Sequence, residues 1–311
     1  MTTADDQAYS TCYTNDGGGD ADNSDGAKMN GIIIYTYQWD APPTSNSTPV
    51  VSAVSLNHGN PIILSPNATA SIDINYTVTD DNGCADVTNT TSTAFRGSVS
   101  STCAVPNPTT NNLNCYLFLT HTTSSCASNA FNATDTVGIY YFAQSTGDAS
   151  SSFPSDRWYA YASAIDAANA TGSATSSNVN VNVLLALNIT APSISYGTVL
   201  ASSTTGATNQ TTTIQNVGNA SQTLKIYGTA LNFGSNSIAT SSQHYATSSF
   251  TFGGFEQVLN ELAQSVSGFL LAAPTSTSAV QRDIFWGIGV PSGNVTGTYS
   301  GTNIFTAFWS P

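Results

Sequence analysis

Charge is scarce in this chain. Only 7% of its 311 residues are charged, five lysines and arginines against eighteen acids, where globular proteins carry about a quarter. So few cations cannot track a phosphate backbone, which excludes nucleic acid as a partner. Glutamate is nearly absent, with Glu256 and Glu261 alone, so the net charge of −13 is not the dense acidity of a salt-adapted surface. Long hydrophobic runs are missing too. Stretches such as "VLLALNI", Val183 to Ile189, are too short to span a bilayer as a helix. The opening "MTTADDQAYS" has neither the basic nor the apolar region of a signal peptide, so the chain reads as a mature form or one exported by another route. Histidine occurs three times, at His58, His121 and His244, in no zinc-ligand spacing. There is no P-loop and no G-x-S-x-G elbow; "GTYSG", Gly297 to Gly301, has its serine one place late. No catalytic residue is assigned, and an enzyme is not expected.

What the chain does contain is serine and threonine, 86 of 311 residues, together with 31 aromatic residues. Disordered chains are poor in aromatics, so this composition indicates a folded protein with a neutral, hydroxyl-rich surface. Its length suits two domains of sandwich size. Cys84, Cys103, Cys115 and Cys126 fall within 43 residues and lack C-x2-C spacing, which reads as two disulfides in an oxidising, extracellular setting, with three pairings open. Cys12 stands apart as an unpaired or intermolecular thiol. Ten N-x-S/T sequons suggest a glycoprotein, although 29 asparagines in so hydroxyl-rich a chain give about eight by chance.

Along the chain, residues 1–30 are polar, glycine-rich and aperiodic, and read as a flexible arm. Strand signals begin with "GIIIYTYQW", Gly31 to Trp39. The clearest is "SIDINYTVTD", where Ile72, Ile74, Tyr76 and Val78 alternate with polar residues and the run ends at an Asn82-Gly83 turn. "CYLFLTH", "TVGIYYFAQ", "RWYAYASAID" and "NVNVNVLL" follow as further strands. A second set, "SISYGTVL", "TTTIQNVGN", "QTLKIYGTAL", "DIFWGIGVP" and "GTYSGTNIFTAFW", begins near Leu185. One segment breaks the pattern: Phe255, Val258, Leu259, Leu262, Ala263 and Val266 have helical spacing and predict a short amphipathic helix closing one end of the second domain. The expected fold is all-β, with two tandem immunoglobulin-like β-sandwiches over residues 31–185 and 186–311, stacked stiffly end to end.

From Ala70 to Asn182 the run "VTDDNGCADV…AFRGSVSSTC…NNLNCYLF…SSC…IYYFAQSTGDASSSFPSDRWYAYASAIDAANATGS" resembles a recurring module of predicted secreted proteins of small-genome, uncultured bacteria. The likeness lies in the Asp-Asn-Gly-Cys turn, the four cysteines and the strand running into "AIDAANATGS". "ISYGTVLASSTTGATNQTTTIQNVGNASQTLKIYG" is similar to the Ig-like domains of abnormal-spindle and hydin proteins, through Tyr196-Gly197, Asn216, Gly218 and Asn219. "GVPSGNVTGTYSGTNIFTA" resembles the closing strands of bacterial surface Ig-like domains. These resemblances imply a non-enzymatic cell-surface or extracellular protein. Such proteins usually carry a signal peptide and an envelope anchor, and this sequence shows neither.

Calcium is the cofactor these residues suit best, because it takes six to eight hard oxygen ligands. "DADNSDG" offers Asp20, Asp22, Asn23 and Asp25, although its spacing departs by one residue from an EF-hand loop. "TDDNGCAD" offers Asp80, Asp81 and Asp86. Most other acids lie in turns; Asp73 and Asp166 are the exceptions on strands. Trp158, Tyr159 and Tyr161, with Tyr140 and Tyr141, could stack on a sugar, although core packing is the commoner use of such residues. The expected function is that of an extracellular structural subunit assembling with its own copies into a filament or lattice, through a strand such as Ile32–Trp39 or Ile304–Trp309. The alternative is a monomeric adhesin or carbohydrate-binding module for host or neighbouring-cell glycans.

Overall fold

The computed structural model describes residues 45–309; the predicted arm, Cys12, the strand Ile32–Trp39 and the loop with Asp20, Asp22, Asn23 and Asp25 lie outside them. The architecture is all-β. Eight strands precede residue 185: β1 (Val50–Leu56), β2 (Thr69–Thr79), β3 (Val87–Arg96), β4 (Cys115–Leu117), β5 (Thr120–Thr123), β6 (Ala130–Tyr140), β7 (Trp158–Asp166) and β8 (Thr171–Thr175). They form two four-stranded antiparallel sheets, in the orders β1-β2-β6-β5 and β4-β3-β7-β8.

The alternation of β2 sets the first core. Ile72, Ile74, Tyr76 and Val78 are buried, and β6 pairs along all of β2, from Thr69 with Tyr140 to Thr79 with Ala130. Bulky side chains from this sheet, with Val137 and Ile139, meet Ala94, Ala160, Ala162 and Ala164 of the other. Large residues on one sheet thus fill the space left by small ones opposite, which gives a close-packed interface from strands whose alanines have little preference for β structure. Each buried Ile or Val contributes roughly 1.5–3 kcal/mol relative to exposure.

"CYLFLTH" is not one strand. Its first part, β4, pairs with β3 in one sheet and its last part, β5, pairs with β6 in the other. The crossing is at Phe118 and Leu119, whose N–H groups donate to Ser92 O and Thr136 O. "NVNVNVLL" keeps its alternation, with Val179 and Val181 buried, but makes only single bridges, to Trp158 and Ile62. The strand β3 carried no clear signal, because its first half is threonine and asparagine.

Beyond residue 185 lie β9 (Leu187–Ile189), β10 (Gln210–Asn216), β11 (Gln222–Gly228), β12 (Leu231–Phe233), β13 (Asn236–Ile238), β14 (Gln243–Ala246), β15 (Gln257–Val258), β16 (Gln264–Ser265), β17 (Val280–Ile288) and β18 (Asn303–Trp309). One sheet runs β15-β14-β17-β10-β9, a second β16-β11-β18, and β12 with β13 forms a hairpin. Ile214, Leu224, Ile226, Tyr245, Leu259, Ile284 and Trp286 are fully buried as their core.

The helix expected across Phe255–Val266 is not formed. The short helix of the structure, α1, is Ser100–Cys103 in the first sandwich. Instead, β15 pairs with β14 and β16 with β11, so the segment crosses from one sheet of the second sandwich to the other. Leu259 N–H donates to Gln243 O and Val266 N–H to Leu224 O. Only Leu259 and Val266 of the apolar series are buried, while Phe255 and Leu262 are exposed. Backbone bonds to two waiting strand edges override a spacing that a short isolated helix could not sustain alone.

The sandwiches meet in a tight joint. Tyr141, Phe142 and Val217 form a small buried cluster with Leu184 and Ala186. Asn219, 1% exposed, accepts from Leu184 N–H at 2.7 Å and donates to Ala143 O and Asn182 O at 3.1 and 3.0 Å. A Cβ at Gly218 would sit 2.0 Å from Leu184 O, so only glycine permits this approach. The Asn219 sequon is therefore closed to glycosylation in the folded chain.

Candidate functional site

Two polar constellations lie near the Cys84–Cys126 disulfide of the first sandwich. One is built on the turn between β2 and β3. Asp80 Oδ1 accepts from Asn82 N–H at 2.8 Å, Asp80 O accepts from Gly83 N–H, and Gly83 takes φ +103°, a conformation that side chains disfavour. Cys84–Cys126 ties this turn to the β5–β6 loop, and Asp80 N–H donates to Asn129 O. Asp166 closes β7, paired with Val87, and Ala167 N–H donates to Asp86 O.

These restraints bring Asp80, Asp86 and Asp166 together, with one carboxylate oxygen of each within 4.8 Å of the others. Asp80 and Asp166 are each 1% exposed. The Oδ2 atoms of Asp80 and Asp86 are buried without a hydrogen-bond partner. Asp166 is better supplied: Asn46 Nδ2 donates to its Oδ2 at 2.9 Å and Ala170 N–H to its Oδ1 at 2.8 Å. The Asn46 amide, chiefly, holds the Asp166 carboxyl below the usual carboxylate range, outweighing the opposing effect of desolvation, with help from the N–H groups of Ala170 and Ala168. Residues 45–47 lie over the turn, since Asn82 donates to Ser45 O and accepts from Ser47 N–H. All donors here are hard oxygens, the set that suits calcium.

The second constellation lines an open groove of about 420 Å³, between the first half of β3 and the edge strand β5. Phe118, Phe131, His121, Thr88, Asn89 and Thr90 are among its walls. His121 Nδ1 lies 2.5 Å from Asp135 Oδ1, and His121 Nε2 lies 3.4 Å from Thr90 Oγ1. The order hydroxyl, imidazole, carboxylate is that of an activated nucleophile. The carboxylate, however, has wider duties. Asp135 is fully buried and its Oδ2 also accepts from Tyr76 OH and Ser92 Oγ, so it joins β2, β3, β5 and β6 across both sheets. Asp135 on β6, with donors from three other strands, makes this a network that locks the sandwich.

The predicted site residues are distributed as follows. Asp80 and Asp86 converge, but Asp81 is exposed and outside the cluster; its place is taken by Asp166. Asp166 had been legible as an acid on a strand, yet nothing in its spacing linked it to a turn eighty residues earlier. Asp73 stands apart, half-buried beside His58. The four clustered cysteines pair as Cys84–Cys126 and Cys103–Cys115. The proposed sugar-stacking face is not presented: Trp158 is fully buried, with Nε1 donating to Gln144 O, and Tyr161 is buried beside Cys103 and Cys115. Tyr159 is half-buried and stacks on Phe95. The first half of β3 and the two phenylalanines of the groove were missed, because polar residues on a strand give no periodic apolar signal.

No described helix is long and apolar enough to cross a membrane. No protein-family model matches the chain. No curated protein is similar to it. Among solved structures, a chain of the chaperone–tip adhesin complex of CFA/I fimbriae biogenesis is 12% identical, with 81% of this chain and 96% of that one covered and a TM-score of 0.29. The secreted serine protease VesC from Vibrio cholerae is 9% identical over 83% of this chain and 51% of that one, with a TM-score of 0.20. Likeness at this level carries no argument about fold or function.

Proposed function

We propose that the chain is a non-enzymatic structural subunit of an extracellular or cell-surface assembly, in which copies join through the edge of the second sandwich. The observation that carries this reading is β18. It pairs with β11 along its whole length, from Asn303 with Gly228 to Trp309 with Gln222, and among the described residues no strand pairs with its other edge. Ile304 and Thr306 are exposed along it. An open edge of seven residues offers main-chain donors and acceptors to an incoming strand, and β18 itself carries no charged side chain. Two disulfides support an oxidising compartment. The sealed joint at Asn219 supports a stiff unit able to carry load.

Sedimentation and electron microscopy of the full chain test this. Concentration-dependent polymers that disappear in the double variant Ile304→Lys, Thr306→Lys are expected; a monomer at high concentration in the unsubstituted protein overturns the reading.

A second reading, a glycan-binding surface module, is favoured by the His121 groove, where two phenylalanine rings lie among hydroxyl and amide groups. Glycan-array binding that is lost in Phe118→Ala supports it, and hydrolysis of a bound glycan that is lost in His121→Ala would make the module an enzyme.

A further inference from the structure

We infer that Asp80, Asp86 and Asp166 form a calcium site that fastens the chain segment at residues 45–47 to the end of the first sandwich. Three observations converge on it. First, three carboxylates lie within 4.8 Å of one another in a region where Asp80 and Asp166 are each 1% exposed. Like charges so close and so dry repel unless something positive lies between them.

Second, no positive group of the described chain does this. Arg96 pairs with Asp156, Arg157 donates to the carbonyls of Pro154 and Asp156, Lys225 lies over Phe308, and Arg282 donates to Gly268 O. Third, two buried oxygens in the cluster, Asp80 Oδ2 and Asp86 Oδ2, have no hydrogen-bond donor. Buried carboxylate oxygens are ordinarily satisfied, as the three donors on Asp135 illustrate in the same sandwich, so a partner from outside the chain is indicated, and the uncompensated negative charge of the cluster makes a cation the partner that fits.

The dimensions select the ion. Two oxygens that share a calcium at about 2.3–2.6 Å lie no more than about 5 Å apart, which covers the whole cluster. Magnesium, at about 2.0–2.1 Å, requires a tighter octahedron and gives up its water reluctantly. The absence of sulfur and imidazole in the cluster disfavours zinc. The site also has a mechanical consequence. Asp166 is held by Asn46, and Asn82, inside the turn, grips Ser45 and Ser47, so an ion that fixes the three carboxylates fixes this segment as well.

The test uses the full, oxidised chain stripped with EDTA. Calcium alone, at ten times its dissociation constant, is expected to raise the unfolding temperature by roughly 3–5 °C, with magnesium giving less. Equilibrium dialysis with radioactive calcium should show an ion that is lost in Asp80→Asn and in Asp166→Asn and retained in the triple variant Asp20→Asn, Asp22→Asn, Asp25→Asn. Because the buried variants could misfold, carbodiimide labelling of the unsubstituted protein supplies a second measurement. Calcium should reduce labelling of the half-buried Asp86 at least fivefold and leave Asp73, equally half-buried and remote from the cluster, unchanged. No bound calcium, an ion lost only in the Asp20, Asp22 and Asp25 variant, or unchanged labelling of Asp86 in calcium would each overturn the assignment.

Discussion

The two sandwiches solve one problem by different means. Before residue 185 the chain uses two disulfides and a buried polar network in which Asp135 gathers donors from Tyr76, Ser92 and His121. After it there is no cysteine, and the core is Trp286, Tyr245, Phe269 and aliphatic side chains, with Trp286 Nε1 and Tyr245 OH buried without partners. The large aromatics make the contrast concrete. Trp158 in the first core donates to Gln144 O, whereas Trp286 in the second has no partner for its Nε1 and packs against the rings of Tyr245 and Phe305. Disulfides and a carboxylate-centred network brace the first sandwich; the second has no disulfide, and among its specific bonds are those of the buried amide of Asn216, whose Nδ2 donates to Ala220 O and Ala272 O.

The largest test of this contrast is reduction. In the loop-entropy account, Cys84–Cys126, spanning 42 residues, and Cys103–Cys115, spanning 12, contribute about 4 and about 3 kcal/mol. Reductant should therefore pull opening of the first sandwich to a lower temperature than that of the second, as read by hydrogen exchange during heating. Equal loss in both would show that they do not differ in this way.

Next in size is the joint. Asn219→Ala leaves one N–H and two carbonyls without their side-chain partner, at a cost of about 2–4 kcal/mol. It should split unfolding into two resolved calorimetric transitions, and Gly218→Ala should do the same through its clash with Leu184 O.

Smaller again is the paired substitution of the two tryptophans. Trp158→Phe removes a satisfied hydrogen bond and orphans Gln144 O, so chemical denaturation should show a loss about 1–2 kcal/mol greater than for Trp286→Phe.

Acid should have the smallest effect. Burial pushes Asp156 up, but the N–H groups of Arg157 and Ser98, with Arg96 beside it, bring it below its ordinary range. Glu256 is likewise raised by burial and brought down further by its hydrogen bonds to His244 and Gly253. A depressed folded value means that the stabilisation is complete above the unfolded values of about 3.9 and 4.3 and is lost as pH falls through the lower folded ones. Between pH 5 and 2, Asp156→Asn should flatten the pH dependence of melting in the first sandwich and Glu256→Gln in the second.

Much of the fold is legible in the sequence. The alternation of Ile72, Ile74, Tyr76 and Val78 gave β2 its buried face, Ile284, Trp286 and Ile288 did so for β17, and the cysteine cluster gave two bridges in place of a zinc site. The polar half of β3 was not legible, since hydroxyl and amide residues carry no periodic apolar signal. The spacing from Phe255 to Val266 pointed the wrong way, because a twelve-residue pattern cannot report that two strand edges stand ready to accept its backbone.

The candidate site divides in the same manner. Asp80 and Asp86 were visible as a turn rich in carboxylates, and Asp166 only as an acid on a strand; the pairing of Val87 with Asp166 is what brings them together. Local order in sequence by itself determined strand faces and turns, because these depend on neighbours a few residues apart. Cysteine pairing, the sealed joint at Asn219, the burial of Trp158 and the meeting of three aspartates were decided by tertiary structure. Each depends on contacts between residues distant in the chain, and those are set by the register of whole sheets.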